Sequence, residues 1–247
     1  MTQTAKFDLV TDVYDTLGPT KDNAKATIKY MLGSEEVKSE IVDQLGPEYT
    51  NLEEVLEKGM EANSKGNKDS EEFRMMINAS NIGSTIGYQR GELQFKLFEG
   101  SDDNVKEELQ AISDAGGRIF VYSSGGVETT EASLKSIGIE NLVGGYYSSS
   151  QEEIGSKFEA RGYQKIAQKN GLEVASLAYV ADTPKECEAA VEAGYGKVLL
   201  INRSAKEDQL GMHSDGYEVI NNYNAVTEAI LIPDNSTEVT ATTEVSE

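Results

Sequence analysis

Five positions along this sequence could together carry out one reaction: Asp12, a serine at 123 or 124, Lys157, Asp182 and Glu186. Asp12 follows a short apolar run, Phe7, Leu9 and Val10, and leads into a polar turn that closes on Thr16, Leu17 and Gly18. Ser123, Ser124 and Gly125 follow the run Ile119–Tyr122. Asp182 follows Leu177–Ala181, with Glu186 four residues later, and Lys157 is expected to open the helix between those two runs. A strand that breaks into a turn at a polar residue sets that residue at the carboxyl edge of a sheet, where ligands bind in open α/β folds. One carboxylate nucleophile, one hydroxyl, one lysine and further carboxylates at one edge suit phosphoryl transfer. Asp12 would attack phosphorus. A hydroxyl of Ser123 or Ser124 and a backbone N–H, such as that of Gly125, would hold the phosphate oxygens, and Lys157 would neutralise charge. Asp12 and Asp182 would share a hard divalent cation, with waters completing its shell. Glu186 has two readings, a partner that orients Lys157 or a residue on an exposed helix face.

Composition narrows the field. The chain has 247 residues, enough for one α/β domain with a smaller insertion. Its formal net charge of -21 repels phosphate backbones, so nucleic acid is not an expected partner, and an anionic substrate needs a local positive site. No apolar run approaches the roughly 18 residues of a membrane helix, and the N-terminal MTQTAKFD lacks the basic and apolar regions of a signal peptide. The single cysteine, Cys187, rules out an internal disulfide and a multi-cysteine metal site, and a cytoplasmic location is expected. The single histidine, His213, rules out a multi-histidine metal site; with Gly211, Ser214, Asp215 and Gly216 around it, it reads as a surface loop.

The elements that must position these residues are legible as short apolar runs. Phe7–Val10, Ile119–Tyr122, Leu177–Ala181 and Val198–Ile201 read as strands buried on both faces, as in a parallel sheet. Val105, Leu109 and Ile112 mark a helix before Gly116-Gly117; Tyr163, Ile166 and Ala167 mark another, and Cys187, Ala190 and Val191 a third. This alternation predicts βαβ units and a doubly wound parallel α/β sheet. Between the first two strands only helical patterns occur, over Asn23–Leu32, Ser34–Leu45, Leu52–Ala62 and Ser70–Ile86. A doubly wound sheet needs no such connection. The expected organisation is therefore an α/β core over 1–18 and 89–232, an inserted all-helical cap over 19–88, and a disordered acidic tail over 233–247. Asn235-Ser236-Thr237 in that tail matches a glycosylation sequon without a signal peptide to give it meaning.

DVYDTLG, YSSGG, IGSK and VADTPKE, in that order, resemble the four motifs of the haloacid dehalogenase superfamily of hydrolases. Asp12 falls on the first motif, Ser123 or Ser124 on the second, Lys157 on the third, and Asp182 with Glu186 on the fourth. A closer resemblance, over about residues 87–203, is to the enolase-phosphatase subfamily, also called acireductone synthase. It is carried by GYQRGEL, VYSSGGVE, GGYYSS, IGSKFEARGYQKIA and ADTPKECEAAVEAG, with Thr11, Asp12, Thr16 and Pro19 also fitting. This resemblance implies a capped, Mg²⁺-dependent enzyme of methionine salvage that enolises and dephosphorylates 2,3-diketo-5-methylthiopentyl-1-phosphate. Its partners would be a small phosphorylated metabolite, with no nucleic acid and no membrane, in a monomer or small homo-oligomer.

Two departures stand out. The family carries an acid two residues after the nucleophile, to protonate the leaving alkoxide and then deprotonate water; here Tyr14 holds that place. A phenol of unperturbed pKa about 10 is a feeble base at neutral pH, although the Tyr14 backbone carbonyl can still serve the metal. Asp15 is the neighbouring candidate for the missing acid. Tyr14 also resembles the first motif of 2-haloacid dehalogenases, whose aspartate displaces halide, a leaving group that needs no proton. A dehalogenase-like hydrolase and a weakly active phosphometabolite-binding protein are thus the alternatives. The second departure is the late cap, Glu71–Ile86, which lacks the lysine, glutamine and tryptophan pattern of the subfamily. Met75 and Met76 there read as cap core, Cys187 as helix core, and Glu128 as a first-turn helix residue.

Overall fold

The structure is a computed structural model and describes residues 5–67, 70–99, 103–213 and 215–231. The expected tail over 233–247, its sequon, and the expected core boundary at 232 lie outside the described residues. In chain order the elements are β1 (Asp8–Thr11), α1 (Thr20–Met31), α2 (Glu35–Leu45), α3 (Leu52–Ser64), α4 (Glu71–Gln89), α5 (Val105–Asp114), β2 (Ile119–Ser123), α6 (Val127–Lys135), β3 (Val143–Ser148), α7 (Ala160–Lys169), β4 (Leu177–Ala181), α8 (Pro184–Ala193), β5 (Lys197–Ile201), β6 (Gly211–Met212), β7 (Glu218–Ile220) and α9 (Asn224–Ile230).

The seven strands form one sheet in the order β3-β2-β1-β4-β5-β7-β6. Every pairing is parallel except that of β6 with β7, so the doubly wound sheet ends in a short antiparallel edge that the sequence pattern did not announce. β1 lies between β2 and β4, with Thr11 opposite Val121 on one side and Val180 on the other. Because all three run the same way in register, the residues that follow them emerge at one edge. That edge lies where the strand order reverses about β1, the switch point at which α/β sheets bind ligands.

Alternation along the strands divides the core. Leu9, Ile119, Val121, Ala178, Val180, Leu199 and Ile201 face one side, against Val105, Leu109 and Ile112 of α5 and Val226 and Ile230 of α9. Val10, Phe120, Tyr122, Tyr179, Ala181, Val198 and Leu200 face the other, against Tyr163, Ile166 and Ala167 of α7 and Cys187 and Ala190 of α8. Both faces are apolar, which is why these runs read as continuous rather than alternating. The helix α8 is bounded as its sequence suggests, by Pro184 in its first turn and by Gly194 at its end in the left-handed conformation, with φ of 91°.

The four helices α1–α4 are inserted between β1 and the rest of the sheet and enclose a hydrophobic cluster of their own, including Met31, Ile41, Leu52, Leu56 and Ala79. Met75 and Met76 pack against it. Two of the helices start on side-chain caps: the Asn51 side chain accepts the Glu54 N–H, and the Ser70 hydroxyl accepts the Phe73 N–H. The insertion touches the core close to the candidate site. Thr85 of α4 and Thr129 of α6 share a hydrogen bond of 2.9 Å between hydroxyls. Asn23 of α1 bonds the backbone of Lys96 in both directions. No helix among the described residues is long and apolar enough to cross a membrane.

Candidate active site

Asp12 leaves the end of β1 with its backbone N–H on the Val180 carbonyl at 3.0 Å, and its side chain is buried. The loop after it is tightly tied. Leu17 and Gly18 both donate to the Val13 carbonyl, Asp15 donates to that of Gly18, and Phe98 donates to that of Leu17. Gly18 is required there, because a Cβ would stand 2.1 Å from the Lys96 carbonyl oxygen. Asp15, with φ of 54°, turns its carboxylate to the Thr20 N–H at 2.9 Å and remains exposed. Its carboxylate therefore caps the start of α1.

The central contact is a buried triad of charges. Lys157 Nζ donates to Asp12 Oδ1 at 2.6 Å and to Glu186 Oε2 at 2.7 Å, and Lys157 is only 2% exposed. Burial alone would lower the lysine pKa; Asp12 and Glu186 more than offset it, so the group is held above its ordinary value. Glu186 is buried on α8 and faces the lysine; the exposed-face reading of this residue does not hold. Lys157 sits in the turn three residues before α7 rather than in that helix, a correction to the expected placement. The turn is held by tyrosines: the Tyr163 hydroxyl donates to the Lys157 carbonyl and the Tyr122 hydroxyl to that of Gly155, both at 2.8 Å.

Asp182 emerges from β4, half-buried, and its carboxyl is held above the ordinary range by burial and then by the charge of Asp12. Three carboxylates, Asp12, Asp182 and Glu186, around one lysine leave negative charge that a cation would offset. Among the described residues no cluster of three or more His, Cys, Asp or Glu side chains stands ready for a metal, and a backbone carbonyl is a natural third protein ligand. The loop offers one. The carbonyls of Asp12, Val13, Asp15, Thr16, Leu17 and Gly18 all accept hydrogen bonds, while among the described residues that of Tyr14 accepts none. Two carboxylates, one free carbonyl and waters fit Mg²⁺, which keeps much of its hydration.

Ser123 closes β2 and is fully buried, its Oγ accepting the Gly125 N–H at 3.1 Å. Ser124 is exposed. A Cβ built on Gly125 would lie 3.5 Å from both the Ser123 Oγ and the Tyr14 ring, which places Tyr14 beside this loop. The Tyr14 ring also meets Phe95 edge-on, with centroids 6.0 Å apart. Its phenol is pushed up to about 12, by burial and then by Asp12. Thr16 is buried, and its own hydroxyl has no partner among the described residues. Glu128 is exposed in the first turn of α6. His213 stacks on Tyr217 beside the β6–β7 turn. A cavity of about 540 Å³ lined by Tyr49, Asn51, Lys58, Glu61 and Met75 belongs wholly to the helical insertion and takes no wall from the Asp12 site.

Sequence reasoning missed Arg203. It lies just beyond β5, and its guanidinium donates to the carbonyls of Asp15 at 2.8 Å and Thr16 at 2.9 Å. The same group pairs with Asp103 and lies over the Phe98 ring, 3.6 Å from the centroid. No local pattern marks it, because its partners lie 187 and 188 residues away in the chain. Arg203→Ala removes the clamp on the loop that carries Asp12 and leaves Asp103 without its cation. A loss of about 2 kcal/mol in stability is expected, with a fall of roughly tenfold in turnover as the nucleophile loses its fixed position. Arg203→Lys should recover little of either, since an ammonium cannot reproduce the fork. Thermal unfolding and steady-state kinetics check both.

A haloacid dehalogenase-like hydrolase family model matches residues 88–200. The chain is 29% identical over 228 residues to the enolase-phosphatase E1 of Drosophila mojavensis, covering 88% of this chain and 89% of that protein. It is 34% identical over 111 residues to the enolase-phosphatase E1 of Aquifex aeolicus, a match covering 44% of this chain and 47% of that relative, so it spans about half of its length. Among solved structures, the UTR4 protein of Saccharomyces cerevisiae superposes with a TM-score of 0.59 at 19% identity, over 89% of this chain and 98% of that one. With a doubly wound core, an inserted helical layer and an aspartate–lysine–carboxylate site at the switch point, the chain is similar to the haloacid dehalogenase-like hydrolases over residues 88–200 and shares their fold. Its sequence is also similar to the enolase-phosphatases E1. Hydrolases of this class generally work with Mg²⁺.

Proposed function

We propose that the protein is a Mg²⁺-dependent phosphatase acting on a small phosphorylated metabolite through an aspartyl-phosphate, with the acireductone synthase reaction of methionine salvage as the best-matched activity. The observation that carries this reading is the buried Asp12–Lys157–Glu186 triad beside Asp182 at the switch point. The reading keeps the division into a core over 1–18 and 89–232 and a cap over 19–88, with the cap closing over the site to exclude water.

In the first step Asp12 attacks phosphorus and the ester P–O bond breaks, passing the phosphoryl group to the carboxylate while the leaving oxygen takes a proton from solvent water and departs as the alcohol. Ser123, the Gly125 loop and Lys157 hold the phosphoryl oxygens, and Lys157 offsets their charge. Asp12, Asp182 and the Tyr14 carbonyl would hold Mg²⁺, which supplies electrostatic stabilisation of the charge developing on the phosphoryl group. In the second step water attacks the phosphorus of the aspartyl-phosphate, releasing inorganic phosphate and regenerating Asp12. Thr16 buttresses the loop, and Glu186 fixes the lysine.

Tyr14 is the observation that favours a second reading. A neutral phenol with its pKa near 12 takes no proton from water at neutral pH. The second step is then slow, and the protein binds phosphometabolites with little turnover or serves a leaving group that needs no proton, as halide does. The test is a phosphoester panel in Mg²⁺ and in EDTA, run beside 2-haloacids. Phosphate release abolished by EDTA supports the phosphatase; metal-independent halide release overturns it. Tyr14→Glu in the same panel restores a carboxylate at the acid position, and a rise of about tenfold in phosphate release is expected, below the roughly 10²-fold or more that a fully positioned acid–base group supplies, since the introduced side chain is not pre-positioned. An unchanged rate would show that Tyr14 does not limit turnover.

A further inference from the structure

Tyr179 occupies the middle of β4, fully buried, three residues before Asp182. Its ring meets Tyr163 edge-on with centroids 4.9 Å apart, and Tyr163 in turn meets Tyr122 and Tyr195. Its hydroxyl donates to Glu186 Oε2 at 2.8 Å, the same oxygen that accepts Lys157 Nζ at 2.7 Å. One carboxylate oxygen thus serves two donors.

The consequence concerns the lysine. An ammonium has three N–H donors. One goes to Asp12 and one to Glu186, which leaves one for a phosphoryl oxygen. Two buried carboxylates compete for this single cation, and whichever is less satisfied elsewhere pulls harder. A hydroxyl donated into the glutamate oxygen satisfies part of its charge. That loosens the glutamate's hold and leaves more of the lysine's field for Asp12 and the bound phosphate. The hydroxyls of Tyr163 and Tyr122 fix only the backbone of the lysine turn.

We infer that Tyr179 is a positioning residue for Lys157, acting through Glu186 to present the ammonium to the phosphate of the substrate. The inference rests on the reading of the Asp12 site as a phosphate-ester hydrolase. Tyr179→Phe keeps the ring and its edge-on packing and removes only the hydroxyl. It should weaken binding of inorganic phosphate in Mg²⁺, measured by calorimetry, about five- to tenfold, the scale of one ordinary net hydrogen bond, because the lost bond acts on the phosphate only indirectly through Glu186. KM for a hydrolysed phosphoester should rise by the same factor while kcat changes less than about threefold, the split expected when binding shared by ground and transition states is lost. Because the effect passes through the glutamate charge, Tyr179→Phe/Glu186→Gln should bind phosphate no more weakly than Glu186→Gln alone.

Tyr195→Phe is the packing control. Its hydroxyl reaches the Tyr163 carbonyl and touches neither Glu186 nor Lys157, so phosphate binding should be unchanged. Equal weakening in Tyr179→Phe and Tyr195→Phe, additive losses in the double variant, or an unchanged phosphate Kd in Tyr179→Phe would each overturn the inference. Phosphate binding by a wild-type protein that hydrolyses no phosphoester would overturn the hydrolase reading and leave this comparison standing. No phosphate binding at all would overturn both.

Discussion

Asp12→Asn is expected to reduce Mg²⁺-dependent phosphate release by on the order of 10³-fold or more, the scale on which removal of a covalent nucleophile acts. An amide oxygen in the same place can still accept from Lys157, and Glu186 still holds the ammonium, so the loop and the lysine turn should keep their positions. The amide nitrogen cannot attack phosphorus, and the neutral group removes one of the two carboxylates offered to Mg²⁺. The fall should therefore lie in kcat, and activity should not return at high substrate. It should also be accompanied by weaker protection by Mg²⁺ against thermal unfolding, since a ligand bound only by the folded state stabilises by RT ln(1 + [L]/Kd). Retention of hydrolysis within about tenfold of wild type would exclude covalent catalysis by Asp12. Loss of activity together with collapse of the fold would show instead that the carboxylate is held for packing, and circular dichroism distinguishes the two.

The sequence carried this site to the reader unevenly, for physical reasons. Asp12, Ser123 and Asp182 were legible because each ends a short apolar run, and β2-β1-β4 are neighbours in parallel register, so three strand ends become one edge. The insertion was legible because α1–α4 each repeat an apolar face, although their ends differ by a few residues: α1 begins at Thr20 rather than Asn23, and α4 runs to Gln89 rather than Ile86. β3 was hidden, since Gly144 and Gly145 dilute its pattern and most of its residues are only half-buried. The β6–β7 edge was hidden by its brevity, two residues against three. Arg203 and Tyr179 were hidden for a different reason. Neither breaks a local rule: one is a charged residue after a strand, the other a tyrosine inside one. Their partners come to them only through the sheet order. The choice between Ser123 and Ser124 was likewise undecidable from types alone, because both can cap or bind; the fold buries the first and exposes the second.

Lys157→Met tests the triad from its cationic centre and is expected to act on stability as well as on rate. The methionine keeps the length and apolar stem of the lysine, yet it leaves Asp12 and Glu186, 6% and 5% exposed, as buried carboxylates without their cation. Removing one partner of a buried ionic group costs about 3–5 kcal/mol, most of it the uncompensated charge. For a domain of this size each kcal/mol moves Tm by about 2–4 °C, so a drop of roughly 6 °C or more is expected at pH 7 without Mg²⁺. The pH dependence fixes the cause. The Glu186 carboxyl already lies above its ordinary value through burial and the charge of Asp12, with Lys157 and Tyr179 opposing that rise. Without the lysine it rises further. A carboxyl whose folded pKa exceeds its unfolded one costs stability above the folded value, and that cost is relieved as pH falls through it. The gap in Tm between Lys157→Met and wild type should therefore narrow between pH 7 and about pH 5. Mg²⁺ should also narrow it, by satisfying Asp12, but without restoring turnover, since the phosphoryl oxygens still lack the ammonium. A gap that stayed constant over that range would assign the loss to packing around the tyrosine cluster, and the buried charges would then not be what the lysine is there to balance.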